Sequence, residues 1–258
     1  MDAAVYEQMR AVEETHWWFR ARRSILRVLV RKAEPPPQAR LLEVGCGTGG
    51  NLPLLKEFGA VSALEPNSEA RRYVAEHRRV RVDEGRLPDA VPYPPGSFDL
   101  VCAFDVIEHL DDPIGSLTAL GRLLGPDGRL VATVPALPWM WSEHDVRHHH
   151  KRRYTRRSLT THLEAAGFAV GYMSYFNTLL LPAAVLQRTA KKLLGLRADD
   201  DAMPPLWLNS ALAWLFEREA PWLERRRLPI GLSLAVVALP RGSTSLAVGN
   251  GRSRVDQA

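Results

Sequence analysis

The sequence predicts a doubly wound α/β fold: a mostly parallel, seven-stranded sheet with an N-terminal helix and a helical insertion before the last strand. Three observations carry that expectation. Short apolar runs alternate with amphipathic segments from residue 40 to residue 176, the order that gives parallel strands joined by crossover helices. The first run, RLLEV (40–44), leads directly into a glycine-rich turn, GCGTGG (45–50), as the buried first strand of such a sheet does. A last apolar run, GLSLAVVALP (231–240), stands about fifty-five residues beyond the sixth and reads as the closing strand.

Residues 5–32 read as one helix whose apolar positions are Trp17, Trp18, Ile25, Leu26, Leu29 and Val30, and EPPPQ (34–38) as a stiff linker. After the glycine turn come a helix from Asn51 to about Phe58, a strand VSALEP (61–66), a helix Ser68–His77 and a strand RVRVDEG (79–85). A proline-rich loop leads to FDLVCAFD (98–105), then to a helix at 112–124 closed by GPDG (125–128). RLVATVPA (129–136) is the fifth strand, 137–153 an open loop, Thr155–Ala166 a helix ended by Gly167, and FAVGYMSYF (168–176) the sixth strand. The domains expected are an N-terminal helical cap (1–37), a core (38–176 plus 230–240), a helical insertion (177–229) and a disordered tail (241–258).

The chain has 258 residues and a formal charge of +5. Seven basic side chains in residues 10–32 face only Glu13 and Glu14, and six in residues 140–160 face Glu143 and Asp145. Such runs suit anionic ligands or surfaces, although solvated basic faces are the commoner outcome. Two cysteines, Cys46 and Cys102, make no disulfide framework. Met1–Gln8 lacks the apolar stretch of a signal peptide, and LLLPAAVL (179–186) is too short to span a bilayer. A cytoplasmic location, at most peripheral to the inner face of the membrane, is expected.

In a doubly wound sheet, ligands sit beyond the carboxyl ends of the strands. That rim collects the glycine turn, Glu65, the segment after Gly85, Asp105 and the 137–153 loop. The glycines let a ligand approach the backbone, and the following helix offers free N–H groups. Read through Gly50, the turn also matches a dinucleotide fingerprint, with Glu65 about twenty residues on. Two cofactors therefore compete: NAD and S-adenosylmethionine. Glu43, two residues before the first glycine, suits an ammonium group better than a pyrophosphate. FDLVCAFDVIEHLDD and LLGPDGRLVATVP further favour the second.

With those elements in that order, residues 38–175 plus the last strand resemble the class I S-adenosylmethionine-dependent methyltransferases, among them bacterial enzymes of unassigned acceptor. The resemblance implies that Gly45, Gly47 and Gly49 line the methionine part of the cofactor and that Glu43 helps hold it. Glu65 would accept from the ribose hydroxyls. Arg86 and Leu87 would flank adenine, where the family often has an acidic residue in place of Arg86; Glu84 or a backbone carbonyl would then hold the amino group. Asp105 would lie near the sulfonium. The Trp17–Trp18 pair resembles one in the quinone-biosynthesis O-methyltransferases, which would bring Arg20 or Arg23 to the cofactor carboxylate. Asp105, Glu108 and His109 resemble a divalent-metal set of the same enzymes; helix capping is the preferred reading, so no metal is expected, and His109 is kept as a candidate base.

HDVRHHHKRRY (144–154) holds four of the eight histidines. Three are consecutive and cannot all face one ion from a regular element, and the spacing is not that of a structural zinc site. By resemblance to a W…D…H.RRYT element, Trp139, Trp141, Arg152, Arg153 and Tyr154 would build the acceptor side, with His144 or His150 as base and Asp145 beside them. A small-molecule or lipid- or saccharide-linked acceptor, methylated on oxygen, is expected. The alternatives are an NAD-dependent oxidoreductase and an RNA methyltransferase or nucleic-acid-binding protein; the second is disfavoured by the absence of an N-P-P-Y-type motif and of an RNA module. The insertion, rich in tryptophan and flanked by Lys191, Lys192 and Arg225–Arg227, reads as a lid, a dimer interface or a peripheral membrane contact.

Overall fold

The computed structural model describes residues 3–194 and 203–242. The tail expected to be disordered falls outside this range from residue 243 on, as do the acidic triplet Asp199–Asp201 and the side chains of Lys191 and Lys192.

The helix expected over 5–32 is two helices, α1 (Ala3–Val12) and α2 (Trp17–Lys32). His16 caps α2 by accepting the Trp18 N–H at 3.3 Å, so Glu13–His16 becomes a corner. There follow β1 (Ala39–Val44), α3 (Leu52–Leu55), β2 (Gly59–Leu64), α4 (Ser68–Arg78), β3 (Arg81–Asp83) and β4 (Phe98–Phe104). Next come α5 (Pro113–Leu123), β5 (Leu124–Pro135), α6 (Glu143–Arg147), α7 (Arg156–Ala165) and β6 (Phe168–Phe176). The insertion contributes α8 (Leu181–Leu194), α9 (Leu206–Glu217) and α10 (Glu219–Arg225) before β7 (Ser233–Pro240).

The seven strands lie in the order β3-β2-β1-β4-β5-β7-β6, with β7 antiparallel to both neighbours and the rest parallel. The expected turn at 125–128 is instead a bulge inside β5: Phe98 pairs with Leu124 and Leu100 with Arg129, leaving four residues looped out. The two faces of the sheet bury separate clusters. One lies under α5 and α7, with Leu42, Val101, Leu117, Leu130 and Leu159; the other lies under α2, α9 and α10, with Ile25, Leu29, Leu41, Val131 and Phe216. Helix α9 docks on α2 because Asn209 accepts the Trp17 N–H at 2.7 Å and donates to the Thr15 carbonyl at 2.9 Å. No described helix is long and apolar enough to cross a membrane.

Candidate active site

The carboxyl ends of β1, β2, β4 and β5 meet on one rim, as the strand order requires. Gly45, Gly47 and Gly49 all have positive φ. A side chain at Gly45 would also stand 2.9 Å from Val106, so the turn needs glycine there for conformation and for space. Glu65, at the end of β2, accepts the Gly47 N–H at 2.9 Å and the Asn67 N–H at 3.0 Å. The carboxylate thus braces the turn from the strand beside it.

Glu43 is buried, and one oxygen accepts from Asn51 at 2.9 Å. The other has no hydrogen-bond partner among the described residues. Burial pushes its carboxyl up to about 7, against the opposing pull of Asn51 and Arg22. Asp105 sits past β4 with φ 56° and accepts from Arg22 at 2.5 Å and from Thr133 at 3.0 Å. Arg22 also donates to Thr133 at 3.1 Å, lies 4.8 Å from the Trp18 ring, and keeps its Nε without a described partner.

The basic residue at this site is therefore Arg22. Arg23 turns the other way: it donates to the Glu13 carbonyl at 2.8 Å and pairs with Glu14 at 3.6 Å, while Arg20 is exposed. The signal was present in the sequence. Arg22 lies four residues after Trp18 and on the same helix face as Ile25, Leu26 and Leu29, an odd place for a charge unless another element brings it a partner.

Helix α1, within the N-terminal cap that the sequence led one to expect, lies across the glycine turn through residues that no sequence signal singled out. The Tyr6 hydroxyl donates to Glu65 at 2.9 Å, and the Met9 methyl lies where a side chain at Gly47 would meet it at 3.5 Å. Glu13 accepts from Thr48 and from Arg78, the latter at 2.5 Å. Burial pushes the Glu13 carboxyl up, partly offset by those two donors.

Arg86 is exposed, its backbone bridged to Ala90, while Leu87 packs into the core. The expected open loop at 137–153 contains α6, started by a capping box in which the Asp145 carboxylate accepts the Ser142 N–H at 2.9 Å. Asp145 is fully buried, and its other oxygen accepts from His150 Nδ1 at 2.9 Å and Arg153 Nε at 2.7 Å. Burial would raise its pKa, but these donors and the Arg153 charge overcome it and hold the carboxyl well below the usual range. Arg153 also donates to the Ala136 carbonyl at 3.0 Å, so it is an internal strut where a grip on the acceptor was expected.

Tyr154 is likewise drawn inside. Its backbone bridges Ala136, and its ring joins the core against His162, which removes it from the acceptor side. Arg152 reaches the Asp111 carbonyl at 3.5 Å. Trp139 and Trp141 stay exposed on the loop.

The His150 ring stands 4.8 Å from that of His109 and 6.1 Å from that of His144. Burial, helped by His150, pushes His109 down to about 4, so it is neutral at pH 7. Glu108 is completely buried with neither oxygen hydrogen-bonded among the described residues, and burial followed by the Asp105 charge holds its carboxyl well above the usual range. Ligand atoms of Glu108, His109 and His150 lie within 4.8 Å of one another, a set that could hold a metal ion.

A family model described as a methyltransferase domain matches residues 16–171. A Mycolicibacterium smegmatis protein named "Probable S-adenosylmethionine-dependent methyltransferase" is 30% identical over 161 residues, 61% of each chain. A ubiquinone biosynthesis O-methyltransferase of Xanthomonas campestris is 35% identical over 100 residues, 36% of this chain and 42% of the relative. The chain therefore spans about three fifths or less of the length of these curated relatives. Among solved structures, a SAM-dependent methyltransferase of Aquifex aeolicus matches with a TM-score of 0.53 at 18% identity, over 68% of this chain and 93% of that one. The geranyl diphosphate C-methyltransferase of Streptomyces coelicolor, in complex with Mg2+, geranyl diphosphate and S-adenosylhomocysteine, matches with 0.57 at 14% identity, over 82% and 76%. At such identities the likeness is one of fold. The family match, over more than half of the chain, decides between the two cofactors that the glycine turn left open: the chain belongs to the class I S-adenosylmethionine-dependent methyltransferases.

Proposed function

We propose that the protein transfers a methyl group from S-adenosylmethionine to an oxygen of a small-molecule or of a lipid- or saccharide-linked acceptor. The observation that carries the oxygen reading is the buried pair Asp145–His150. A hydroxyl acceptor must lose a proton as it is methylated, and a histidine oriented by a carboxylate is a fitting base. With Asp145 on Nδ1, the pair leaves Nε2 to take that proton. His109 and His144 flank the ring.

The residues fit the cofactor. When bound, S-adenosylmethionine supplies a methyl group already activated on sulfonium. Glu43 offers a buried, unpartnered oxygen for the ammonium, and Arg22 an unpartnered Nε for the carboxylate. Glu65 offers two oxygens for the ribose hydroxyls once Tyr6 releases one of them. Asp105 and Thr133 hold Arg22 in place. The lipid- or saccharide-linked acceptor is supported by Trp139 and Trp141, exposed beside His144 in the chain. A nucleic-acid acceptor gains no support from the basic cluster, because Arg153 and Lys151 are paired with Asp145 and Asp111.

Calorimetric titration of S-adenosylmethionine, S-adenosylhomocysteine and NADH into wild type and Glu65→Ala tests the cofactor half. The first two should bind, and the variant should lose them. Methyl transfer to hydroxyl-bearing lipid extracts, with His150→Gln and Asp145→Asn, tests the acceptor half. Unchanged turnover in both variants would refute the base.

A further inference from the structure

We propose that the outer face of α9, with its junction to α10, is a docking surface for the interfacial zone of an anionic lipid bilayer. At about 100° per residue, Trp207, Ala211, Trp214 and Arg218 fall on one side of the helix. Asn209, Ala213 and Phe216 fall on the opposite side and are buried. That inner side makes the attachment already described: Asn209 is hydrogen-bonded at the α1–α2 corner, and the Phe216 ring meets Trp17 at 6.2 Å and Phe176 at 6.3 Å. The outer stripe is not needed to hold the fold together. It is nevertheless apolar and aromatic, with Trp207 72% exposed, Trp214 58% and, on α10, Trp222 45%.

Exposed tryptophans of this density have a physical use at the headgroup boundary, where an amphipathic ring meets both phases. The charges beside them fix the occupant. The Arg218 guanidinium lies over the Trp214 ring at 4.2 Å, and Arg225, Arg226 and Arg227 are exposed at the end of α10. Of the acidic residues nearby, Glu219 is buried and accepts the Thr178 and Leu179 N–H groups, Glu224 pairs with Arg31, and Glu217, half-buried on the flank of α9, lines a cleft with Arg20 and Arg23. An aromatic face edged by arginine is complementary to anionic headgroups over acyl chains, and less so to a second copy of itself, which would set the arginines of both copies close together. Another helix of the insertion reaches the loop that carries Trp139 and Trp141. Arg188 of α8 donates to the Met140 carbonyl, between the exposed Trp139 and Trp141.

The test is co-sedimentation of the full chain with phosphatidylcholine vesicles and with vesicles of phosphatidylcholine and phosphatidylglycerol in equal parts, at low and high salt. Oligomeric state is read by light scattering and folding by S-adenosylhomocysteine binding. Wild type should bind the anionic vesicles and leave the neutral ones largely free. Trp207→Ser with Trp214→Ser should weaken that binding roughly tenfold or more. Arg225→Glu with Arg226→Glu should weaken it roughly fivefold per arginine, most at low salt. Both variants should keep their ligand affinity. Absence of binding to anionic vesicles, or equal binding by the double tryptophan variant, would overturn the proposal. So would a wild-type dimer that the tryptophan substitutions dissociate, which would make this face a self-interface. Because vesicle binding is read without turnover, it stands or falls apart from methyl transfer.

Discussion

Replacing Arg22 by alanine separates a cofactor clamp from a structural strut. Arg22 is 4% exposed and carries an ion pair to Asp105 at 2.5 Å and a hydrogen bond to Thr133. Breaking an enclosed ion pair costs about 3–5 kcal/mol. The Asp105 side chain here stays 26% exposed, so water recovers part of that, and about 2–3 kcal/mol of lost stability is expected. For a chain of this size that lowers Tm by about 5–10 °C. The affinity effect is independent. If Arg22 Nε meets the cofactor carboxylate, its loss removes a charge-assisted bond of about 1.5–3 kcal/mol, weakening S-adenosylhomocysteine roughly 10–150-fold. Calorimetry at a temperature where the variant is folded reads this directly. Arg22→Lys should fall between, since an ammonium restores the charge without the fork. A variant that loses Tm as expected but binds within about threefold of wild type would refute the clamp and leave Arg22 as a strut.

Four further outcomes follow from the site. Burial raises Glu43 to about 7, so its neutral form is favoured in the ligand-free fold; the associated stability is full below the ordinary carboxylate range and lost as pH rises through about 7. A ligand ammonium favours the ionised form, so S-adenosylhomocysteine should bind more tightly as pH rises from about 6 to 7.5 and release a proton, and Glu43→Gln should flatten both trends. Asp145 has a depressed pKa, so its contribution is present above the ordinary value near about 4 and lost as pH falls below it; an acid-dependent drop in Tm present in wild type should be smaller in Asp145→Asn. Tyr6→Phe removes one of the two donors on a Glu65 oxygen, leaving the Asn67 N–H, and should tighten S-adenosylhomocysteine by about fivefold, the worth of one hydrogen bond, whereas weaker binding would mean that α1 holds the ligand in place. Treatment with EDTA should leave turnover unchanged, because burial raises the Glu108 carboxyl, and a carboxyl must shed its proton to take a metal; activity lost to EDTA and restored by Mg2+ would make Glu108, His109 and His150 a metal centre.

What the sequence revealed was local. The glycine turn, Glu43 and Glu65 are fixed by strand register and by the backbone conformation that the turn requires, so their positions followed from short stretches of chain. The 144–154 cluster behaved differently. Its residues are neighbours in sequence, but the path of an irregular segment is set by distant partners. The Lys151 N–H donates to the Glu108 carbonyl, and the Tyr154 N–H to the Pro135 carbonyl. Those two bonds turn His150 toward His109 and Arg153 toward Asp145, and nothing in the local spelling encodes that. The corner at Glu13–His16 was hidden for a similar reason: its cap is a histidine, outside the usual capping set, and its acidic residues serve Thr48, Arg78 and Arg23.

The placement of β7 between β5 and β6 also constrains the order in which the molecule is completed. Among the described residues, strand β6 has no sheet neighbour other than β7, and the far edge of β5 is covered only by β7. A chain emerging from the ribosome can therefore assemble the cofactor half, β1 to β5, while β6 waits beside an unpaired edge for the whole insertion to be made. During that interval two apolar strand edges are open to intermolecular pairing. A chaperone requirement, or aggregation of nascent chains stalled before residue 233, would be a property of this strand order and would not reflect the stability of the finished protein.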